Sequence, residues 1–294
     1  IDVKKFYTPM LAQDFKNKLR KQTVMNFLNG SATAPAIFSQ PKLDGIRCIA
    51  TSDGLFTRTG KPITACPHVS EHLKGFFVWN PDAVLDGELY NHSYKDDFNK
   101  IIHLVRKQNL TDEHLAESRE MIQYHVYDAP VIGRWGQLTE EELFSERTSC
   151  WDANYKDIAD LADEGVIVNV ETTEVKSKEH LDDLYGEYTE QGYEGQMVRI
   201  DGSYENKRSP NLLKRKEFVD EEYTILGYEE GEGNRTGTIK HFKFKNKAGK
   251  EFNSNVKGTF EYLKELLKKG NSLIGKEATV KYFNLTPDGV PRFP

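Results

Sequence analysis

Nowhere in this 294-residue chain does an apolar run approach the roughly 18 residues that a membrane-spanning helix requires, so no span is expected. Its first residues, Ile1-Asp2-Val3-Lys4-Lys5, lack the apolar core of a secretion signal, and a cytoplasmic location is the resulting expectation. Cysteine is scarce: Cys48, Cys66 and Cys150 are odd in number and lack the paired short spacing of a zinc site. Reduced structural thiols are expected, with no disulfide and no zinc. Internal repeats and low-complexity tracts are also missing, which excludes solenoid and array architectures. A global excess of positive charge is absent too, since the net charge is −6. That deficit is unevenly spread. Residues 205 to 294 hold 18 Lys and Arg against 13 Asp and Glu, a balance of +5, whereas the preceding part carries −11. Clustered cations rather than the total set phosphate binding, so an acidic chain can still hold nucleic acid. On charge alone, an ordinary solvated basic face is the favoured account of the surplus.

The length exceeds one ordinary core and implies a large domain followed by a small one. Residues 1 to 34 read as a helical lead-in and a small-residue loop, Asn29-Gly30-Ser31-Ala32-Thr33-Ala34-Pro35, that marks a boundary. From Ile37 the chain turns β-rich, with strand signals at Ile37-Phe38, Ile46 to Ala50 and Leu55-Phe56-Thr57. Helices punctuate the sheet. Asp97 precedes the stripe Phe98, Ile101, Ile102, Val105; Thr139 and Glu142 form a capping-box pattern ahead of Leu143; a further helix runs from Lys178 to Glu190 with Gly192 as its cap. After residue 217 come the acidic run Asp220-Glu221-Glu222, then short strands with Gly-rich turns. A single helix from Thr259 to Gly270 and a last strand near Ala278 to Phe283 follow. The expected class is α+β: an antiparallel-sheet domain over residues 1–217 and a small OB-type barrel over 218–294.

The chemistry centres on Lys42-Leu43-Asp44-Gly45-Ile46-Arg47. It sets a lysine near a strand end, one residue before a carboxylate and an Asp-Gly turn, where the amine can face a cleft and attack phosphorus once deprotonated. Downstream lie Asp86-Gly87-Glu88, Tyr127-Asp128, Glu194-Gly195 and Leu212-Leu213-Lys214-Arg215-Lys216. Lys214 and Lys216 alternate along an expected strand, so both point to one face and Arg215 to the other. Each residue alone has a plainer reading: Lys42 as a surface ion pair, Glu88 and Glu194 as turn carboxylates, Tyr127 as core.

The ordered set resembles the covalent nucleotidyltransferases, and within them the ATP-dependent DNA ligases. It is most similar to the small viral, phage-type enzymes without an added DNA-binding domain. That resemblance runs from Ile37 to Pro294. It implies an adenylation domain followed by an OB-fold domain, with Lys42, beside Asp44 in the catalytic motif, as the residue that receives AMP. It implies ATP as co-substrate, Mg²⁺ at Glu88 and Glu194, and adenine stacked on Tyr127. Arg47 and Arg58 match arginines that hold the ribose, the AMP phosphate or the 5′-phosphate of a nick; Glu88 also falls near the ribose. Lys214 and Lys216 match triphosphate ligands, and Arg208 is a further phosphate ligand or structural partner. The implied partner is nicked double-stranded DNA, and the protein is expected to act as a monomer, in a host cell's cytoplasm if viral.

Two positions depart from the family pattern. Gln40 stands where many ligases place a glutamate near adenine, and the chain ends at Val290-Pro291-Arg292-Phe293-Pro294, leaving Arg292 as part of a motif that closes over ATP. A capping-type guanylyltransferase shares the lysine motif, but it usually shows Asp-Gly in place of Glu194-Gly195 and a tryptophan in place of Arg215. An RNA ligase and a binding module without chemistry are the remaining alternatives.

Overall fold

Two five-stranded sheets organise the first of two compact units, Ile1–Arg215. The computed structural model describes residues 6–134, 137–138, 142–161, 165–282, 285–286, 288–291 and 294. In chain order the strands of this unit are β1 (Leu11–Asp14), β2 (Ile37–Lys42), β3 (Ile46–Thr51), β4 (Gly54–Phe56), β5 (Val84–Tyr90) and β6 (Gln123–Val131). They continue with β7 (Gly133–Arg134), β8 (Gln137–Leu138), β9 (Ile167–Asn169), β10 (Thr173–Glu174), β11 (Gly195–Ile200) and β12 (Arg208–Arg215). The helices are α1 (Lys18–Leu28), α2 (Pro67–Trp79), α3 (Phe98–Arg106), α4 (Asp112–Met121), α5 (Phe144–Leu161) and α6 (Lys178–Glu190).

One sheet runs β1-β12-β11-β2-β10 and the other β4-β3-β5-β6-β9. The chain crosses from the first to the second in the three residues between β2 and β3. Each sheet buries one apolar face against helices. Val24, Ile37, Leu181, Leu184, Val198 and Leu213 pack the first sheet with α1 and α6. Cys48, Leu73, Leu85, Leu104, Tyr124 and Trp151 pack the second with α2, α3 and α5. At two places the strands approach so closely that only glycine fits: a Cβ on Gly45 would run into the Leu89 carbonyl oxygen, and one on Gly87 into that of His125.

Several expectations change. The lead-in is not wholly helical: Leu11–Asp14 form a strand parallel to β12, with Leu11 opposite Arg208. Four residues cannot display a period, and their partner lies at the far end of the unit, so local pattern carries no trace of it. The small-residue loop does not separate domains, because β1 and α1 on one side of it share a sheet and core with β2 on the other. Thr139 lies outside the described residues; α5 starts at Phe144, where the Leu143 amide donates to the Glu146 carboxylate at 2.9 Å. The Asp97 cap is present, its side chain accepting from the Lys100 amide, and Gly192 follows α6 at φ 89°.

The second unit, Lys216–Pro294, contains β13 (Val219–Thr224), β14 (Gly227–Glu230), β15 (Ile239–Lys245), β16 (Glu251–Asn255), α7 (Phe260–Lys269) and β17 (Glu277–Tyr282). Its core is Ile225, Phe242, Phe244, Phe252, Leu266, Val280 and Tyr282. Among the described residues its strands form two sheets, β13-β17 and β14-β15-β16, rather than one closed barrel. The acidic run at 220–222 lies within β13, where pairing with β17 fixes it; Tyr223 and Tyr282 donate to the Glu221 carboxylate at 3.0 and 2.7 Å. Among the described residues no helix is long and apolar enough to cross a membrane.

Candidate active site

Lys42 is the last residue of β2, and its carbonyl accepts from the Glu194 amide at 3.2 Å. Pairing of β2 with β11, Lys42 opposite Gly195, therefore brings the Glu194 side chain alongside the lysine. The two meet at 2.6 Å between Nζ and Oε2, the lysine about one-fifth exposed and the glutamate nearly buried. The contact ties the end of β2 to the residue that precedes β11.

Around Lys42 opens a cleft of about 830 Å³. Arg47, Arg58, Lys61, Glu88, Tyr127, Arg199, Arg208 and Lys214 are among the residues that line it. The strands explain the convergence. Arg47 on β3 lies opposite Glu88 on β5, and Glu88 opposite His125 on β6, so Glu88 and Arg47 sit side by side at the centre of one sheet. Lys214 on β12 lies opposite Met197 on β11, in the other sheet, and is exposed. Its neighbour Arg215 turns to the opposite face, where it is buried against α6 with Asp182 at 2.8 Å and the Tyr185 ring at 4.5 Å.

Burial pushes the Glu88 carboxyl up to about 8, against the lowering pull of Arg47 and Lys42. Tyr127 donates to it at 3.3 Å. Burial alone would lower the Arg47 guanidinium, yet Asp86 carries it above its ordinary range through a two-point contact at 3.0 and 2.6 Å. Asp86 in turn accepts from the Tyr204 hydroxyl at 2.7 Å. Arg47 is thus pre-set beside the Tyr127 ring, 5.9 Å from its centroid, and only part of its fork remains for a ligand.

Other expected residues fall elsewhere. Gln40 is not exposed to a base: it is buried, its amide donates to the Tyr127 carbonyl at 3.0 Å and Thr172 at 2.8 Å, and its oxygen accepts from Arg199 at 2.6 Å. With its polar atoms engaged, it supports the Tyr127 strand from behind. Asp44 is half-buried in the connection between β2 and β3 and does not line the cleft. Arg208 lines the cleft but also donates to the Ala12 carbonyl, tying β12 to β1. Lys216 opens the second unit, its ammonium 5.5 Å from the Phe218 ring. Arg292 lies outside the described residues.

Sequence reading missed the group beneath the floor. Asp128 is fully buried and accepts from Arg147 at 2.9 and 3.1 Å and from Arg199 at 3.0 Å. Burial would raise its carboxyl, but the two guanidiniums outweigh that and hold it below its usual range. Arg199 also faces the Tyr127 ring at 5.4 Å. The available signal was Asp128 itself, a carboxylate inside an apolar strand, which demands a cationic partner. Its partners are distant in sequence.

A lysine paired with a carboxylate thus faces a cleft lined by cations and an aromatic ring. Residues 9–216 match the family described as "ATP dependent DNA ligase domain", and the chain belongs to that family. It is 29% identical over 279 residues to a DNA ligase of African swine fever virus, covering 85% of this chain and 60% of the viral protein. It is 28% identical over 258 residues to a DNA ligase of Haemophilus influenzae, covering 86% and 82%. The chain therefore spans about 60% of the length of the viral relatives it matches. Among solved structures, a Lig E DNA ligase superposes with a TM-score of 0.60 at 22% identity, over 98% of this chain and 97% of that one. The ATP-dependent DNA ligase of bacteriophage T7, in complex with ATP, gives 0.56 at 17%, over 100% and 98%. These likenesses establish the mixed α+β fold.

Proposed function

We propose that the protein is an ATP-dependent DNA ligase that seals 5′-phosphate/3′-hydroxyl nicks in duplex DNA. The observation that carries this is Lys42, paired with Glu194 at 2.6 Å and lining one cleft with Lys214, Arg58 and Tyr127. In the first step Lys42 loses its proton to water by way of Glu194, and its nitrogen attacks the α-phosphorus of ATP. A P–N bond forms, and the bond to pyrophosphate breaks. A 5′-phosphate oxygen of the nick next attacks the same phosphorus and expels the lysine, giving a DNA-adenylate. Attack by the 3′-hydroxyl then forms the phosphodiester and releases AMP. Lys214 neutralises charge on the leaving phosphates, Tyr127 offers a face to adenine, and Arg47 and Arg58 hold the ribose or phosphates.

The residues that would hold a magnesium ion are Glu88 and Glu194. Glu88 and Glu194 would supply two hard carboxylate oxygens; among the described residues no group of three or more His, Cys, Asp or Glu side chains could hold a metal ion, so phosphate oxygens and water would have to complete the set. When bound, the ion would neutralise phosphate charge. The proposed protein acts as a monomer in the cytoplasm, without zinc.

Incubation with α-labelled ATP and Mg²⁺ is expected to label the protein, and a chase with nicked DNA to remove the label. Lys42→Ala should carry none. Label that survives this substitution would sink the reading, and label from GTP alone would assign the site to capping chemistry.

A further inference from the structure

The strand that carries Glu88 continues into a residue the chemistry above does not use. β5 ends at Tyr90, and Asn91 then caps a short turn over His92–Tyr94, its side chain accepting from the Ser93 amide at 3.0 Å and donating to the Met121 carbonyl at 2.9 Å. Asn91 is buried, so the backbone that presents His92 is anchored. The His92 ring reaches across to the other sheet. Its Nε2 lies 2.7 Å from the Gln191 carbonyl oxygen, and its Nδ1 lies 2.7 Å from the Tyr90 hydroxyl. A carbonyl only accepts, so Nε2 carries the proton and Nδ1 accepts from Tyr90. The ring plane stacks on Tyr193, with centroids 4.0 Å apart and planes 22° from parallel.

The segment so held, Gln191-Gly192-Tyr193, leads directly into Glu194. Its own hydrogen bonds run back into α6: Gly192 to the Thr189 carbonyl at 3.0 Å and Tyr193 to that of Tyr188 at 2.9 Å. Gly192 sits at φ 89°, a conformation with no Cβ to restrain it. Toward β2 the Glu194 amide donates to the Lys42 carbonyl at 3.2 Å, and Gly195 after it pairs with Lys42, so the β2–β11 ladder fixes the inner side of Glu194. The outer side of the turn is held by His92, which takes the Gln191 carbonyl and one face of the Tyr193 ring.

We propose that His92 is a positioning residue: by clamping the turn at 191–193 it holds the Glu194 carboxylate against Lys42 for nucleotidyl transfer. This rests on the reading of the cleft as a lysine-adenylating site. His92 is only half-buried, so its loss should disturb the turn more than the core.

The test uses His92→Ala, which removes ring and hydrogen bonds, and His92→Phe, which keeps the stack on Tyr193. Single-turnover formation of lysyl-AMP from labelled ATP and amide hydrogen exchange would be measured on each. At saturating ATP the rate constant should fall about tenfold in the alanine variant and less in the phenylalanine variant, because a displaced group loses rate steeply. The half-saturating ATP concentration should stay within about twofold. Exchange at the Tyr193 and Glu194 amides should quicken in parallel. His68→Ala, which removes a buried histidine on α2 bonded to the Ile122 carbonyl, should lower the melting temperature without changing these kinetics. Unchanged exchange at Tyr193 and Glu194 in both variants overturns the clamp, whatever the activity, as does an unaltered rate constant. Absence of lysyl-AMP in the wild type overturns the underlying reading instead.

Discussion

Glu88 shows at the level of a single residue how a site departs from stability. Its folded carboxyl is raised to about 8 by burial, against 4.5 in an open chain. Folding therefore takes up a proton between these values: the stabilising contribution is complete below 4.5 and is lost as pH rises through 8. Glu88→Gln should raise the stability of the ligand-free protein at pH 8 by on the order of 2 kcal/mol and much less at pH 5, while slowing adenylation. Thermal melts at the two pH values check the sign. An equal effect at both would show that Glu88 is not desolvated. Lys42, Glu88, Tyr127 and Lys214, singled out by the ordered motifs and the resemblance they carry, line one cleft, and Glu194 meets Lys42. Their contacts were not legible in the sequence. Nothing local to Gln40 shows that its amide is consumed by Thr172 and Arg199.

Among the elements, the β2–β3 connection matters most, since it carries the chain from one sheet to the other within three residues. Gly45 makes that crossing feasible by letting β3 begin against β5. Gly45→Ala is expected to cost about 3 kcal/mol through overpacking against the Leu89 carbonyl and the Glu88 side chain, measured by denaturant titration. A loss of adenylation without any loss of stability would instead make Gly45 a ligand contact. Helices with strong apolar periods, such as α3, α6 and α7, were legible from the chain together with their caps. The strand β1 and the acidic strand β13 were not, since each is defined by its partner: β12 for one, β17 for the other.

For the molecule as a whole, charge is divided rather than balanced. In β15 the exposed Lys243 and Lys245 alternate with the buried Phe242 and Phe244, so one face of that strand is basic although the net charge is −6. If this face meets DNA phosphates, replacing each lysine by alanine should lower the slope of log affinity against log salt by about 0.9 without changing sequence preference. Binding curves at several salt concentrations would measure it, and unaltered slopes in both variants would move the contact elsewhere.

The chain alone determined which chemistry is available: a lysine, two glutamates, an aromatic ring and spaced cations, in an order no single structural role requires. It also determined the class of fold, because hydrophobic periods and caps are local properties. Tertiary structure alone decided that Glu194 meets Lys42, that Asp86 holds Arg47, and that Arg147 and Arg199 neutralise Asp128. Those pairings join residues far apart in sequence, and burial sets their strength. Only the pairing of strands and the packing of α5 on its sheet bring such groups together and remove the water that would otherwise screen them.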